Sequence, residues 1–361
     1  MKVMTVLGTR PEIIKMSPVV RACREAGVPH VLVHTGQHYS YELDEAIFRD
    51  LELAPADVNL HIGSRPDGDQ IRGILAKTVA IIERERPDVV VVQGDTNSAL
   101  GGALAAVKTA TPLAHVEAGL RSYDRTMPEE INRRQIDHVA DFLFAPTRIA
   151  RDTLLTEGVD GTSIVMSGNT VVDELERLQG DVPDSELLAK HGLRRRRFAL
   201  ATVHRRENVE NEERLRGILA GIASTAIELE LPVVAALHPR TVKKIDELGI
   251  AIDAKHVRVV PPLGYREFLA LHANAALMLT DSGGLQEEAC CLGVPCVTLR
   301  DNTERPESIA VGASTLAGAR ERAIVERARE LYDRPRTWPN PFGDGHAGRR
   351  IVEQLERLLA R

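Results

Sequence analysis

Short runs of β-branched and aliphatic residues alternate with amphipathic stretches along the first half of the chain. That alternation is the pattern of a parallel sheet wrapped by helices. It predicts strands at residues 3–7, 30–35, 88–93, 113–117, 142–145 and 164–167, separated by helices that include 12–25, 70–84, 98–108 and 129–138. Between 171 and 197 the chain turns polar and irregular, with Gly180-Asp181-Val182-Pro183 and the basic run Arg194 to Arg197. The alternation then restarts, with strands expected at 199–203, 233–237, 257–260, 276–280 and 296–299. A last amphipathic helix is expected over 349–359. The expected fold is therefore α/β: two Rossmann-like domains, 1–170 and 171–345, with a ligand cleft between them and a C-terminal helix, 346–361, packing back on the first.

Length agrees with two domains, since 361 residues exceed what one hydrophobic core usually serves. The formal net charge is -6 and the positive residues are scattered among acidic ones, which argues against nucleic acid as a partner. No apolar stretch reaches bilayer-spanning length, and residues 1–7 run straight into a polar loop rather than a cleavage region. The expectation is a cytoplasmic protein with no membrane partner. Of the four cysteines, Cys290 and Cys291 are adjacent and would diverge by about 100° on a helix, and Cys296 opens the next strand. That geometry suits small buried hydrophobes better than a disulfide framework or a metal site.

In open α/β sheets, ligands bind beyond the carboxyl ends of the strands, so the residues that follow each strand carry the chemistry. The first such stretch is Gly8-Thr9-Arg10-Pro11-Glu12, with Lys15 one turn further along the helix. A tight turn, a fork of donors and a helix start make an anion site, although a capped helix with surface charges would read the same way. It is not a P-loop, which requires a later Gly-Lys-Ser/Thr. Next come Gln93-Gly94-Asp95-Thr96-Asn97 and His115-Val116-Glu117-Ala118-Gly119-Leu120-Arg121, each with one carboxylate at a strand end. Pro128-Glu129-Glu130 opens a helix whose dipole favours carboxylates. Three acids near one crevice suit proton abstraction, because crowding and burial push their pKa values apart.

In the second half, His204-Arg205-Arg206-Glu207-Asn208 follows a strand, and His204 suits phosphate binding or proton movement. The sharpest signal is Thr280-Asp281-Ser282-Gly283-Gly284-Leu285-Gln286-Glu287-Glu288. There a strand stops, two glycines expose backbone N–H groups and a helix begins, which is a phosphate cradle. Glu288, just over one turn from Gly284, is placed to accept hydrogen bonds from ribose hydroxyls. Arg305 follows the next strand and is placed to cover a ligand. No Gly-x-Gly-x-x-Gly follows the first strand, so a nicotinamide cofactor of the usual kind is not expected.

These strings, with Thr303-Glu304-Arg305-Pro306-Glu307, stand in the order of the non-hydrolysing UDP-N-acetylglucosamine 2-epimerases, and the chain resembles that family along essentially its whole length. The resemblance implies a glycosyltransferase-B-like fold, UDP held mainly by the second domain, a UDP-sugar substrate, a homodimer, and no metal or cofactor. Carried over by motif, Arg10, Lys15, Asp95, Glu117, Glu129 and His204 are the positions essential for activity. Phe268 corresponds to the residue beside uracil, and Ser282, Gly283, Gly284, Glu288 and Arg305 to pyrophosphate and ribose contacts. Arg133 corresponds to a further substrate contact. The resemblance also implies elimination of UDP to a 2-acetamidoglucal and its re-addition, with base and acid among Asp95, Glu117 and Glu129 unassigned. Many bacterial members follow Gln-His with Arg in a stretch associated with allosteric binding of UDP-GlcNAc. Here Gln37-His38-Tyr39-Ser40-Tyr41 stands instead, which puts that regulation in question. A related epimerase for another UDP-2-acetamido sugar, a hydrolysing epimerase and a UDP-sugar-dependent glycosyltransferase remain as alternatives.

Overall fold

The computed structural model describes residues 1–37, 41–179 and 184–360, with the side chains at 41–44, 179, 184 and 185 outside the description. His38 and the 180–183 stretch, singled out above, lie outside the described residues. The chain divides into two compact units, Met1–Arg177 with Phe342–Arg361, and Leu178–Pro341.

The first unit begins β1 (Val3–Leu7), α1 (Arg10–Glu25), β2 (His30–His34), α2 (Tyr41–Asp50), β3 (Val58–Asn59) and α3 (Asp67–Glu85). It continues β4 (Val89–Gln93), α4 (Asn97–Lys108), β5 (Leu113–Val116), α5 (Pro128–Val139), β6 (Phe142–Ala145), α6 (Arg148–Thr156), β7 (Ile164–Met166) and α7 (Thr170–Gln179). The strands form one parallel sheet in the order β3-β2-β1-β4-β5-β6-β7. Its central strands are covered on both faces, which is why β4 reads as an unbroken Val-Val-Val-Val run rather than an alternation.

The second unit holds α8 (Asp184–Lys190), β8 (Ala199–Thr202), α9 (Arg206–Val209), α10 (Glu212–Glu228), β9 (Val233–Ala236), α11 (Pro239–Glu247) and β10 (Val257–Val260). Then come α12 (Tyr265–Asn274), β11 (Leu277–Thr280), α13 (Gly283–Cys291), β12 (Cys296–Thr298), α14 (Pro306–Ala310), β13 (Ser314–Leu316) and α15 (Glu321–Tyr332). The order in this parallel sheet is β10-β9-β8-β11-β12-β13. Strand alternation splits β8 between two cores: Ala199 and Ala201 pack with Val233 and Ile218 on one face, while Leu200 packs with Val234 and Met278 on the other.

After the second unit the chain returns to the first in α16 (Ala347–Leu359), which packs on α1. Asp173 of α7 caps it, accepting from the N–H groups of Ala347 at 3.1 Å and Gly348 at 2.8 Å.

The expected strands fall within one residue of their limits, whereas β3 and β13 were not expected, and β3, of 2 residues, carries too few positions for a periodicity. Arg194–Arg197 forms an exposed turn between α8 and β8. In each unit the strand order reverses once, between β1 and β4 and between β8 and β11. Those two switch points are where a ligand is received in such sheets.

Candidate functional site

At the first switch point, β1 ends at Leu7 and Gly8-Thr9 turn the chain into α1. A Cβ on Gly8 would stand 1.9 Å from Thr35 Oγ1 and 2.2 Å from Ser98 Oγ, so only glycine allows the loops after β1, β2 and β4 to close on one another. Glu12 locks that approach. Its Oε2 accepts the Gly8 N–H at 3.0 Å, and its Oε1 accepts the hydroxyl of Thr96, the N-cap of α4, at 2.7 Å. Burial outweighs these hydrogen bonds and pushes the Glu12 carboxyl up to about 7.

One turn beyond Arg10, Lys15 reaches from α1 to the end of β5, where its ammonium pairs with Glu117 Oε2. Gln93, the last residue of β4, donates to the same oxygen at 2.9 Å. Glu117 is buried and holds φ at 69°, a left-handed backbone that non-glycine residues avoid. Such strain persists where the surroundings over-determine it, and it gathers at working sites.

Asp95, after β4, is tied to α5. Arg133 donates through Nε at 3.1 Å and through Nη2 to Asp95 Oδ2, and Asn132 donates to the Asp95 carbonyl at 2.9 Å. The Asp95 side chain is still 28% exposed, so its carboxylate remains accessible while Arg133 holds its orientation. Arg133 also donates to Glu130 Oε2 at 2.9 Å, and Glu130 accepts from the N–H and hydroxyl of Ser122 at 2.8 and 3.0 Å. Of the paired acids opening α5, Glu130 is the buried one that fixes the loop. Glu129 is half-buried, and among the described residues no hydrogen bond or ion pair holds its side chain. Arg10, at the first position of α1, is exposed.

Behind these groups, Asp137 ties the β5 loop to α5. It pairs with His115 Nδ1 and Arg121 Nη1, each at 2.7 Å, and accepts the Gly119 N–H at 3.2 Å. Burial raises the Asp137 pKa, but His115 and Arg121 outweigh it and hold the carboxyl below its ordinary value. Arg121 closes the brace with a bidentate pair to Glu157 at 3.0 and 2.6 Å.

At the second switch point the organiser is Asp281. It follows β11, and its carboxylate accepts the backbone N–H groups of His204 and Arg205, at 3.1 and 2.9 Å, and Asn208 Nδ2 at 3.1 Å. His204 Nδ1 lies 3.0 Å from it, while the His204 side chain is 42% exposed. The imidazole is thereby held by Nδ1, leaving Nε2 for a ligand. Burial raises the Asp281 pKa, but the charge of His204 and this set of donors bring it down to about 2.

Ser282 caps α13 through its hydroxyl, accepting the Leu285 N–H at 3.4 Å, and the Gly283 and Gly284 N–H groups form the first turn. A Cβ on Gly283 would stand 2.5 Å from Glu304 Oε1, an oxygen that also accepts from Arg205 Nη2 at 3.2 Å. Arg305 is buried, with Nε 2.5 Å from Glu287 Oε1. Phe268, on α12, is buried in the same core as Leu200 and Val234, and Glu288 is buried on α13. The structure thus gathers Lys15 with Glu117, and Asp95 with Arg133, in the first unit, and His204 with the Ser282–Gly284 turn in the second. Glu12, Glu130, Asp137 and Asp281 received no role from the sequence, although Glu12, Glu130 and Asp281 stand within the motifs above and Asp137 on the helix expected over 129–138.

Two doubly wound parallel sheets with polar clusters at both switch points define the glycosyltransferase-B-like class of α/β fold. The family model for UDP-N-acetylglucosamine 2-epimerase matches residues 21–356. The UDP-N-acetylglucosamine 2-epimerase of Methanocaldococcus jannaschii is 45% identical over 98% of this chain and 99% of its own. Its crystal structure in complex with UDP-GlcNAc and UDP has a TM-score of 0.93, covering 99% of this chain and 100% of that one. The UDP-2,3-diacetamido-2,3-dideoxy-D-glucuronate 2-epimerase of Pseudomonas aeruginosa is 41% identical over 99% of this chain and 100% of its own. The chain belongs to the UDP-N-acetylglucosamine 2-epimerase family.

Proposed function

We propose that this chain interconverts UDP-N-acetylglucosamine and UDP-N-acetylmannosamine by inverting the sugar at C2. The observation that carries the reading is the full-length kinship with an enzyme of that activity at 45% identity. A base removes the C2 proton, the C1–O bond breaks with its electron pair leaving on UDP, and a C1–C2 double bond forms. UDP then adds back to C1 as a proton arrives on the opposite face of C2. The C2 hydrogen is not acidic, so departing UDP has to be stabilised before a carboxylate can take the proton. The N–H groups of Gly283 and Gly284, the Nε2 of His204, and Arg10 serve that purpose. Glu117, Asp95 and Glu129 divide the base and acid roles. Phe268 stands beside uracil, Glu288 takes the ribose hydroxyls, and Arg305 and Arg133 complete the substrate contacts. The enzyme works as a cytoplasmic homodimer without metal or nicotinamide.

A second reading keeps the chemistry and changes the sugar to another UDP-2-acetamido sugar, such as the diacetamido uronate named for the Pseudomonas aeruginosa relative. Proton NMR of the protein with UDP-GlcNAc in D2O, with chelator and without acceptor, tests both. UDP-ManNAc carrying deuterium at C2 is expected. Free ManNAc with UDP would move the reading to a hydrolysing enzyme. An unchanged spectrum would leave a different UDP-sugar, or a transferase lacking its acceptor.

A further inference from the structure

His272 lies on α12, one turn after Phe268, and is 0% exposed. Its ring meets the Phe268 ring edge-on, with centroids 5.9 Å apart and planes at 61°. Nδ1 faces Glu288 Oε2 at 3.6 Å, just beyond hydrogen-bond reach. Among the described residues neither ring nitrogen has a hydrogen-bond partner, and neither does that carboxylate oxygen.

Buried polar atoms are almost always satisfied, so three unsatisfied atoms on two facing side chains call for an explanation. A structural core histidine in this same protein shows what satisfaction looks like. His115, equally buried, binds Asp137 at 2.7 Å through Nδ1 and the Gly94 carbonyl at 2.8 Å through Nε2. The partnerless histidine instead stands between Phe268 and Glu288, the side chains assigned above to base and ribose.

We propose that His272 is a positioning residue of the nucleotide site, holding the Glu288 carboxylate in the orientation that receives the ribose hydroxyls. The inference rests on the reading of Glu288 as the ribose contact. A vicinal diol donates protons and so requires an acceptor whose rotation is fixed. An imidazole N–H that closes the remaining distance to Oε2 as the diol binds supplies that constraint and leaves Oε1 for the sugar. The ligand chemistry is therefore a ribonucleoside diphosphate, distinguished from its 2′-deoxy form through this pair.

Calorimetric titration of the full chain with UDP and with 2′-deoxy-UDP tests the assignment. The wild type should prefer UDP, His272→Leu should lose at least fivefold of that preference, and His272→Asn, which keeps an N–H near the Nδ1 position, should recover most of it. An unaltered preference in His272→Leu, alongside a lost one in Glu288→Gln, overturns the role of His272 alone. An unaltered preference in Glu288→Gln overturns the ribose reading itself. Should His272→Leu not fold, the ring nitrogens of His272 in the wild type, followed by nitrogen-15 NMR, decide the question: they should shift when UDP binds, and ring nitrogens unmoved by saturating UDP overturn the proposal.

Discussion

His204 Nδ1 stands 3.0 Å from a carboxylate oxygen of Asp281, and the same carboxylate receives the backbone N–H groups of His204 and Arg205. One buried charge thus sets both the position of the loop after β8 and the rotation of the imidazole upon it. Asp281→Asn exchanges an all-acceptor group for one that must turn an N–H toward at least one donor. The expected result is a loss of about 2–4 kcal/mol in urea unfolding and a fall of about 100-fold in turnover. Adding His204→Ala to Asp281→Asn should lower turnover little further, since the two act as one unit. Full additivity of the two losses would separate them. The depressed Asp281 carboxyl stabilises the fold above its unfolded pKa of about 3.9, and that contribution drains away as pH falls through about 2.

Glu117 carries three marks at once: a buried ammonium partner in Lys15, a hydrogen bond from Gln93, and a left-handed backbone. Glu117→Gln keeps the shape and removes the carboxylate. Turnover is expected to fall by at least 1,000-fold, while UDP affinity stays within about threefold of the wild type, because the role proposed for the group lies at C2 and not on the nucleotide. Lys15→Met leaves the Glu117 charge buried without its partner and should cost about 3 kcal/mol in stability besides activity. A Glu117→Gln enzyme that still exchanges the C2 proton into D2O would remove Glu117 from the reaction.

The strands and the loops that follow them were legible because each carries its own signal: an apolar run, then glycine and polar residues where the strand ends. What the hydrophobic pattern could not convey is the buried polar face of α5. Glu130, Arg133 and Asp137 recur at helical spacing and all face inward, Arg133 satisfied by Asp95 from the loop after β4, Asp137 by His115 and Arg121 on and after β5, and Glu130 by Ser122 in the loop that leads into the helix. An amphipathic reading assigns such residues to solvent. The same limit hid the difference between Glu129 and Glu130, adjacent and chemically alike, which helix phase alone sends to different places. Asp281 was visible as a letter in a motif, but its bonds to His204 and Arg205 cross 77 and 76 residues and follow from β8 lying beside β11.

Glu12 offers a pH test of the first switch point. Its carboxyl is almost fully buried between Gly8 and Thr96, and desolvation pushes its pKa up to about 7 from an ordinary value of 4.5. A raised acid binds its proton more tightly folded than unfolded, so stability must fall as pH rises from about 4.5 to about 7, and then level off. The full shift corresponds to roughly 3 kcal/mol. Glu12→Gln keeps the size and cannot ionise. Compared at pH 5 the two proteins should have similar urea midpoints, whereas at pH 8 the variant should be the more stable by a large part of that amount. Activity should move the other way if the ionised carboxylate is what draws the Gly8 and Thr96 loops together: the variant would then lose turnover chiefly above pH 7, where the wild-type group is charged. Parallel stability curves for the two proteins between pH 5 and 8 would show that Glu12 does not titrate in this range.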